Sequence, residues 1–183
     1  MTVIQCSIPG VLIIEPKCLG DVRGFFMETF EVSRYAAAGI ARPFVQDNLS
    51  RSSRGVLRGL HLQNPNPQGK LVTVLHGSIL DVAIDVRVGS PTFGQHVSFE
   101  LHEANHLQVW APRGFAHGFL VLSESAVVMY KVDAPYIPEN EIVVRWNDPV
   151  LAIDWGIDTP IMSQRDSAAP MLADIKGLPR YEL

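Results

Sequence analysis

Residues 79–87, "ILDVAIDVR", alternate with a period of two. Leu80, Val82, Ile84 and Val86 share one face of a strand, and Asp81, Asp85 and Arg87 share the other. The turn "VGSPTFG" (88–94) leads into a second alternating run, "QHVSFEL" (95–101). Short apolar runs of this kind recur at 11–15, 25–30, 44–50, 55–63, 70–76, 107–111, 115–122, 126–132 and 142–146, bounded by Gly, Pro, Asn or Asp. One stretch, 31–39, reads as helix, because its alanine run favours that state and Gly39 stops it. Many short strands at even spacing predict an all-β chain, a double-sheet jelly roll with a few short helices. Such a barrel has a lumen and a mouth where a small ligand can sit. No repeat, low-complexity tract or charged linker divides the sequence, so residues 1–183 read as a single domain.

Composition narrows the function classes. The formal net charge of -4 argues against a nucleic-acid binder that works by neutralising phosphates along a groove, yet leaves room for a local cluster of cations holding a small anion. Cys6 and Cys18 form no disulfide framework and no C-x-x-C pair. The N-terminus "MTVIQCSIPG" lacks a basic segment followed by an apolar run, and no stretch has the apolar length of a membrane span. The expectation is a cytoplasmic protein with reduced thiols and no membrane partner.

Polar residues on apolar strands mark the candidate site. "RGVLRGLHLQNPNPQGK" (54–70) carries Arg58, His61 and Lys70. In a regular strand Arg58 and His61 point to opposite faces; a bulge at Gly59 turns both toward one cavity. Gln46, Asn48 and Ser50 share a face that is either solvated or lines a polar cavity. Arg23, between two glycines, reads by itself as a solvated turn arginine, with Glu28 on the strand that follows. His117 in "PRGFAHGFLVL" is expected to be buried and hydrogen-bonded. Tyr130 is a core tyrosine or a site tyrosine, followed by Tyr136 in a proline-bounded loop and by Glu141, while Arg165 and Asp166 close the polar segment "MSQRD". Metal ligation is not expected. The histidines include no H-x-H pair, and His102 and His106 have helical ligand spacing without the H-E-x-x-H glutamate, in a region that reads as a turn.

Taken together, "GDVRGFFMETF", "FVQDNLSRSSRGVLRGLHLQ", "QGKLV", "GSPTFG", "PRGFAHGFLVLSE", "YKVDAPYIPENE", "RWNDPVLAIDW" and "MSQRD" resemble the dTDP-4-dehydrorhamnose 3,5-epimerase family, in order over roughly residues 3–170. The resemblance implies a metal-free cupin jelly roll, a homodimer whose members exchange strands, and a dTDP-sugar substrate, with no cofactor. It implies His61 as base, Asp166 as the partner that orients it, Tyr130 as proton donor and Lys70 as stabiliser of the enolate. By the same similarity Arg23 and Arg58 contact the diphosphate, Tyr136 stacks on the thymine, and Glu28, Gln46, Asp47, Asn48, His117, Glu141 and Arg165 fall at other substrate positions. The sequence departs from the family in Leu62, where an aromatic is common, and in Arg165, where lysine is common. Two other readings stay open at this stage. One is a relative that epimerises a single carbon, or a sugar-nucleotide ketoisomerase; the other is a non-catalytic dTDP-sugar binder.

Overall fold

The computed structural model describes residues 1–181. Thirteen strands run in order: β1 (Thr2–Gln5), β2 (Leu12–Glu15), β3 (Cys18–Asp21), β4 (Gly24–Met27), β5 (Gln46–Ser53), β6 (Leu57–Gln63), β7 (Lys70–His76), β8 (Ser78–Asp85), β9 (His96–His102), β10 (Gln108–Ala111), β11 (Phe115–Val121), β12 (Ser125–Val132) and β13 (Glu141–Val143). The α-helices among the described residues are short, α1 (Val32–Ala37) and α2 (Gln164–Ser167). A six-stranded sheet in the order β1-β2-β10-β7-β12-β5 faces a five-stranded sheet in the order β13-β6-β11-β8-β9, and β3 pairs with β4 as a separate hairpin. This is the double-sheet jelly roll expected from the alternating runs.

Three apolar layers hold the sheets. Between them lie Val72, Val74, Ile79, Ala83, Phe119 and Val128, among others. Leu57, Leu60, Leu62, Val82, Ile84 and Val86 face the other way and are covered by Val144, Leu151, Trp155 and Leu172 of the C-terminal segment. The third layer places Tyr35 of α1 over Leu12, Ile14, Leu71 and Trp110 on the outside of the six-stranded sheet. Both faces of the five-stranded sheet are therefore buried. That explains why β11, at its centre, is buried at every residue and reads as a continuous apolar run. It also means that Asp81 and Asp85, on the polar-looking side of β8, are fully buried.

The strands that the sequence pattern misses are β1 and β3. β1 is an edge strand with no buried residue, and all of β3 is exposed, so neither shows the alternation that burial imposes. β4 starts one residue before the apolar run 25–30 and stops at Met27, while α1 is shorter than 31–39 and is capped by Glu31, whose carboxylate accepts from Ser33 N at 3.0 Å and Arg34 N at 2.9 Å.

Candidate active site

The bulge expected at Gly59 is present and builds the site. Across the β6–β11 pair His61 stands opposite His117 and Arg58 opposite Phe119, so three steps on β6 match two on β11. The extra residue keeps Leu57 and Leu60 on the outer apolar layer and turns Arg58 and His61 toward the same cavity. Only glycine serves there. Gly59 has φ +123°, and a Cβ on it would lie 2.6 Å from Gly118 Cα and 2.9 Å from His117 O. Gly118 opposite is equally restricted, since its Cβ would meet Arg58 O at 2.7 Å.

The cavity encloses about 260 Å³ and is lined by Ser50, Arg58, His61, Lys70, His117, Gly118, Phe119, Tyr130, Glu141, Ser163, Arg165 and Asp166. His61 and His117 come from the five-stranded sheet, Lys70, Tyr130 and Ser50 from the six-stranded one. His61 and Tyr130 thus approach the lumen from opposite walls. His61 Nε2 lies 2.7 Å from Asp166 Oδ1. Asp166 sits in the first turn of α2, where the Ser163 hydroxyl caps its N–H at 3.0 Å, and its second oxygen accepts from Gly59 N at 3.4 Å. Burial alone would raise the Asp166 carboxyl. The hydrogen bond from His61, with the help of Gly59 and Ser163, outweighs it and holds the group below its usual range.

Lys70 is buried, and its Nζ donates to His61 O at 3.0 Å. Desolvation pushes its ammonium down to about 8, against the pull of Glu141 and Asp81. Burial also pushes the Tyr130 hydroxyl up, with Arg58 opposing and Glu141 and Tyr136 adding to the rise, so the phenol keeps its proton at neutral pH. Arg58 donates from Nε to Ser52 Oγ at 3.0 Å, which leaves its terminal nitrogens for another acceptor. At the mouth Glu141 pairs with Arg165 and accepts from Tyr136 OH at 3.1 Å. Tyr136 N–H donates to Gln46 Oε1 at 2.9 Å, and Gln46 Nε2 donates to Asn48 Oδ1 at 2.8 Å. Gln46, Asn48 and Tyr136 therefore form a rim beside the cavity, connected to it through Glu141.

Three expected site residues are not brought to this cavity within one chain. Asp47 alternates with Gln46 and Asn48, so it is exposed on the opposite side of β5 and pairs there with Lys131 Nζ at 3.0 Å. Arg23 lies at the tip of the β3–β4 hairpin, bonded to Asp21, against a separate groove. Glu28, just past β4, pairs with Arg34. Ser50, read with Gln46 and Asn48 as a solvated or cavity-lining face, lines the cavity, while Ser52, Ser163 and Asp81 belong to or support the site without having been singled out for it. Ser52 had a weak signal, since it continues the Gln46–Asn48–Ser50 face, whereas Asp81 reads in the sequence as part of a polar face and shows itself as interior only in the fold. Among the described residues no group of three or more His, Cys, Asp or Glu could hold a metal ion.

The model of the dTDP-4-dehydrorhamnose 3,5-epimerase family matches residues 5–174. The chain belongs to this family. It is 48% identical over 181 residues to the dTDP-4-dehydrorhamnose 3,5-epimerase of Pseudomonas aeruginosa, covering 98% of this chain and 100% of that one. Among solved structures it resembles the dTDP-6-deoxy-D-glucose-3,5-epimerase of Legionella pneumophila in complex with dTDP-4-keto-L-rhamnose. The TM-score there is 0.97 and the identity 50%, over 100% of this chain and 99% of that one. A 3'-monoepimerase from Streptomyces bikiniensis, solved with dTDP-quinovose, has the same fold at TM-score 0.87 and 36% identity, over 92% of this chain and 87% of that one. One epimerase-family scaffold thus serves proteins named for one inverted centre and for two.

Proposed function

We propose that this chain epimerises dTDP-4-dehydro-6-deoxy-D-glucose at C3 and C5 to dTDP-4-dehydro-L-rhamnose, without a cofactor, in the synthesis of dTDP-L-rhamnose. The observation that carries the reading is the opposition of His61 and Tyr130 across one cavity, a base on one sheet and an acid on the other. The C4 ketone acidifies the hydrogens on C3 and C5. His61 removes one of them, and the resulting imidazolium is stabilised by Asp166. Negative charge then gathers on the C4 oxygen, where the Lys70 ammonium supports it. Tyr130 returns a proton to the opposite face, which inverts the centre. A non-catalytic binder needs neither group.

The cavity volume lies below the roughly 300–1,000 Å³ of sites that enclose a whole ligand. A nucleotide sugar would therefore put its sugar inside and extend through the mouth. Arg58 is the guanidinium at that mouth suited to the diphosphate, and Tyr136 is the exposed aromatic suited to the thymine. The deciding experiment incubates the protein with the 4-keto substrate in deuterated water. Label is expected at both C3 and C5. Label at C3 alone makes this chain a monoepimerase, and no label at either carbon overturns the reading.

Lys70 predicts a pH dependence. Its ammonium sits near 8 instead of 10.5, so it is mostly charged at pH 7 and loses that charge as pH rises through about 8. The expected result is a kcat that falls through pH 8 and a Lys70→Arg variant in which the fall moves to higher pH, because guanidinium keeps its charge. A flat profile to pH 9 would remove Lys70 from this role. For stability the sign is the reverse. Between about 8 and 10.5 the unfolded chain binds more protons than the folded one, so stability rises with pH across that window.

The same reading takes the whole chain as one epimerase unit, in the cytoplasm, acting as a homodimer. No helix among the described residues is long and apolar enough to cross a membrane, and Cys6 and Cys18 are free thiols. Support for the dimer comes from the β3–β4 hairpin, where Leu19, Val22, Phe25 and Phe26 are more than half exposed. In this reading Arg23 and Glu28, beside that surface, serve the cavity of the second copy rather than their own. Light scattering should give a dimer at micromolar concentration, and a stable monomer would count against it. Mixing Arg23→Ala and His61→Asn chains should then recover part of the activity that each lacks, because the mixed dimer holds one complete site.

A further inference from the structure

Among the described residues each oxygen of the buried carboxylates has a hydrogen-bond partner, with one exception. Asp85 accepts from Arg87 N, Nε and Nη2, from Ser90 Oγ and from Thr92 Oγ1, at 2.5–3.0 Å. Asp133 accepts from Gly69 N and Arg113 Nε, and Asp148 from Val150 N and Leu172 N. Each of these ties a turn or a loop to the barrel. Asp81 ties nothing. It is fully buried on β8, its Oδ2 lies 2.7 Å from His117 Nε2, and its Oδ1 is buried with no partner among the described residues. Its neighbours on the same face, Ile79 and Ala83, belong to the apolar layer between the sheets. Packing alone would be served by an aliphatic residue there, and a half-satisfied buried carboxylate costs stability. The fold gives no reason for the acid; the cavity does.

A carboxylate only accepts hydrogen bonds, so the proton between the two groups belongs to His117 Nε2. That leaves Nδ1 as the one ring nitrogen of His117 without a hydrogen-bond partner among the described residues, and His117 lines the cavity. We propose that Asp81 is a positioning residue for epimerisation, fixing His117 in the tautomer that presents an unprotonated Nδ1 to the sugar. His117 then accepts a hydrogen bond from a sugar hydroxyl while Lys70, whose charge Asp81 also favours, faces the ketone oxygen. The pair orients the ring so that its acidic hydrogens meet His61. This proposal rests on the epimerase reading above.

The test has a part that needs no variant. In wild-type protein carrying ¹⁵N-histidine, at a pH where His117 is neutral, the shifts should report a protonated Nε2 and a bare Nδ1; the other tautomer overturns the proposal. Asp81→Asn keeps the volume and removes the charge. It should lower kcat at least about 10-fold, since replacing the carboxylate that fixes an imidazole's tautomer costs up to about 10⁴-fold, while the affinity for dTDP alone stays at the wild-type value. Wild-type kcat in Asp81→Asn overturns the proposal. So does additivity with His117→Gln, because a residue acting through His117 costs nothing further once His117 is gone. If Asp81→Asn fails to fold, the tautomer measurement still decides. Should wild-type protein put no deuterium into the 4-keto sugar, the epimerase reading fails, and the tautomer result shows separately whether Asp81 holds the ring.

Discussion

His61→Asn is expected to stop exchange of the C3 and C5 hydrogens of the 4-keto sugar with deuterated solvent, a loss of at least about 10²–10⁴-fold. Asparagine fills the near part of the ring's space but stops short of the Nε2 position that meets Asp166. What it lacks is a nitrogen that takes up a proton near neutral pH. Among the other described residues around the cavity, His117 is the one with a free imidazole nitrogen, and it stands opposite His61 on the neighbouring strand rather than in its place. Lys70 is mostly charged at pH 7, Asp166 faces the imidazole rather than the sugar, and His117 is tied to Asp81. His61 is only half-buried but partners the buried Asp166 carboxylate, so the variant's melting temperature is measured beside its exchange rate to separate lost chemistry from lost fold. Exchange that persists at the wild-type rate would move the base to His117.

The sequence announced this site through a conflict between pattern and charge. Arg58 and His61 lie three apart, a spacing that a regular strand sends to opposite faces, yet both are polar on a strand otherwise apolar. The conflict resolves at Gly59, where the bulge adds one residue and the close approach to Gly118 excludes any side chain. The barrel was legible for the same kind of reason, since burial imposes alternation on nearly every strand. Alternation could not show β1 or β3, which contain no fully buried residue in one chain. It was also silent on Asp81: period-two reasoning assigns it to a polar face, and only the second layer over the five-stranded sheet makes that face interior. Asp47 illustrates the opposite case. The family pattern carries it along with Gln46 and Asn48, but a strand sends adjacent residues to opposite sides, and this one pairs with Lys131 in solvent.

Tyr130→Phe separates the second half of the reaction from the first. It leaves His61, Asp166 and Lys70 in place, so the enolate still forms, and His61 can return a proton or a deuteron to the side from which it was taken. Label uptake should therefore continue while inversion falls by about 10²–10⁴-fold, the usual contribution of a positioned acid. The divergence is specific to a donor on the far wall. A tyrosine that merely packs against Phe119 and Val128 would, on losing its hydroxyl, change uptake and inversion together or change neither. The hydroxyl suits the task because burial raises it and keeps it protonated, while Arg58 nearby favours the phenolate it leaves behind. Measuring both quantities in one experiment, label by mass and configuration by coupling constants, gives their ratio for each carbon. A ratio unchanged from wild type at C3 and C5 would make Tyr130 a core residue and require another acid on the six-stranded sheet.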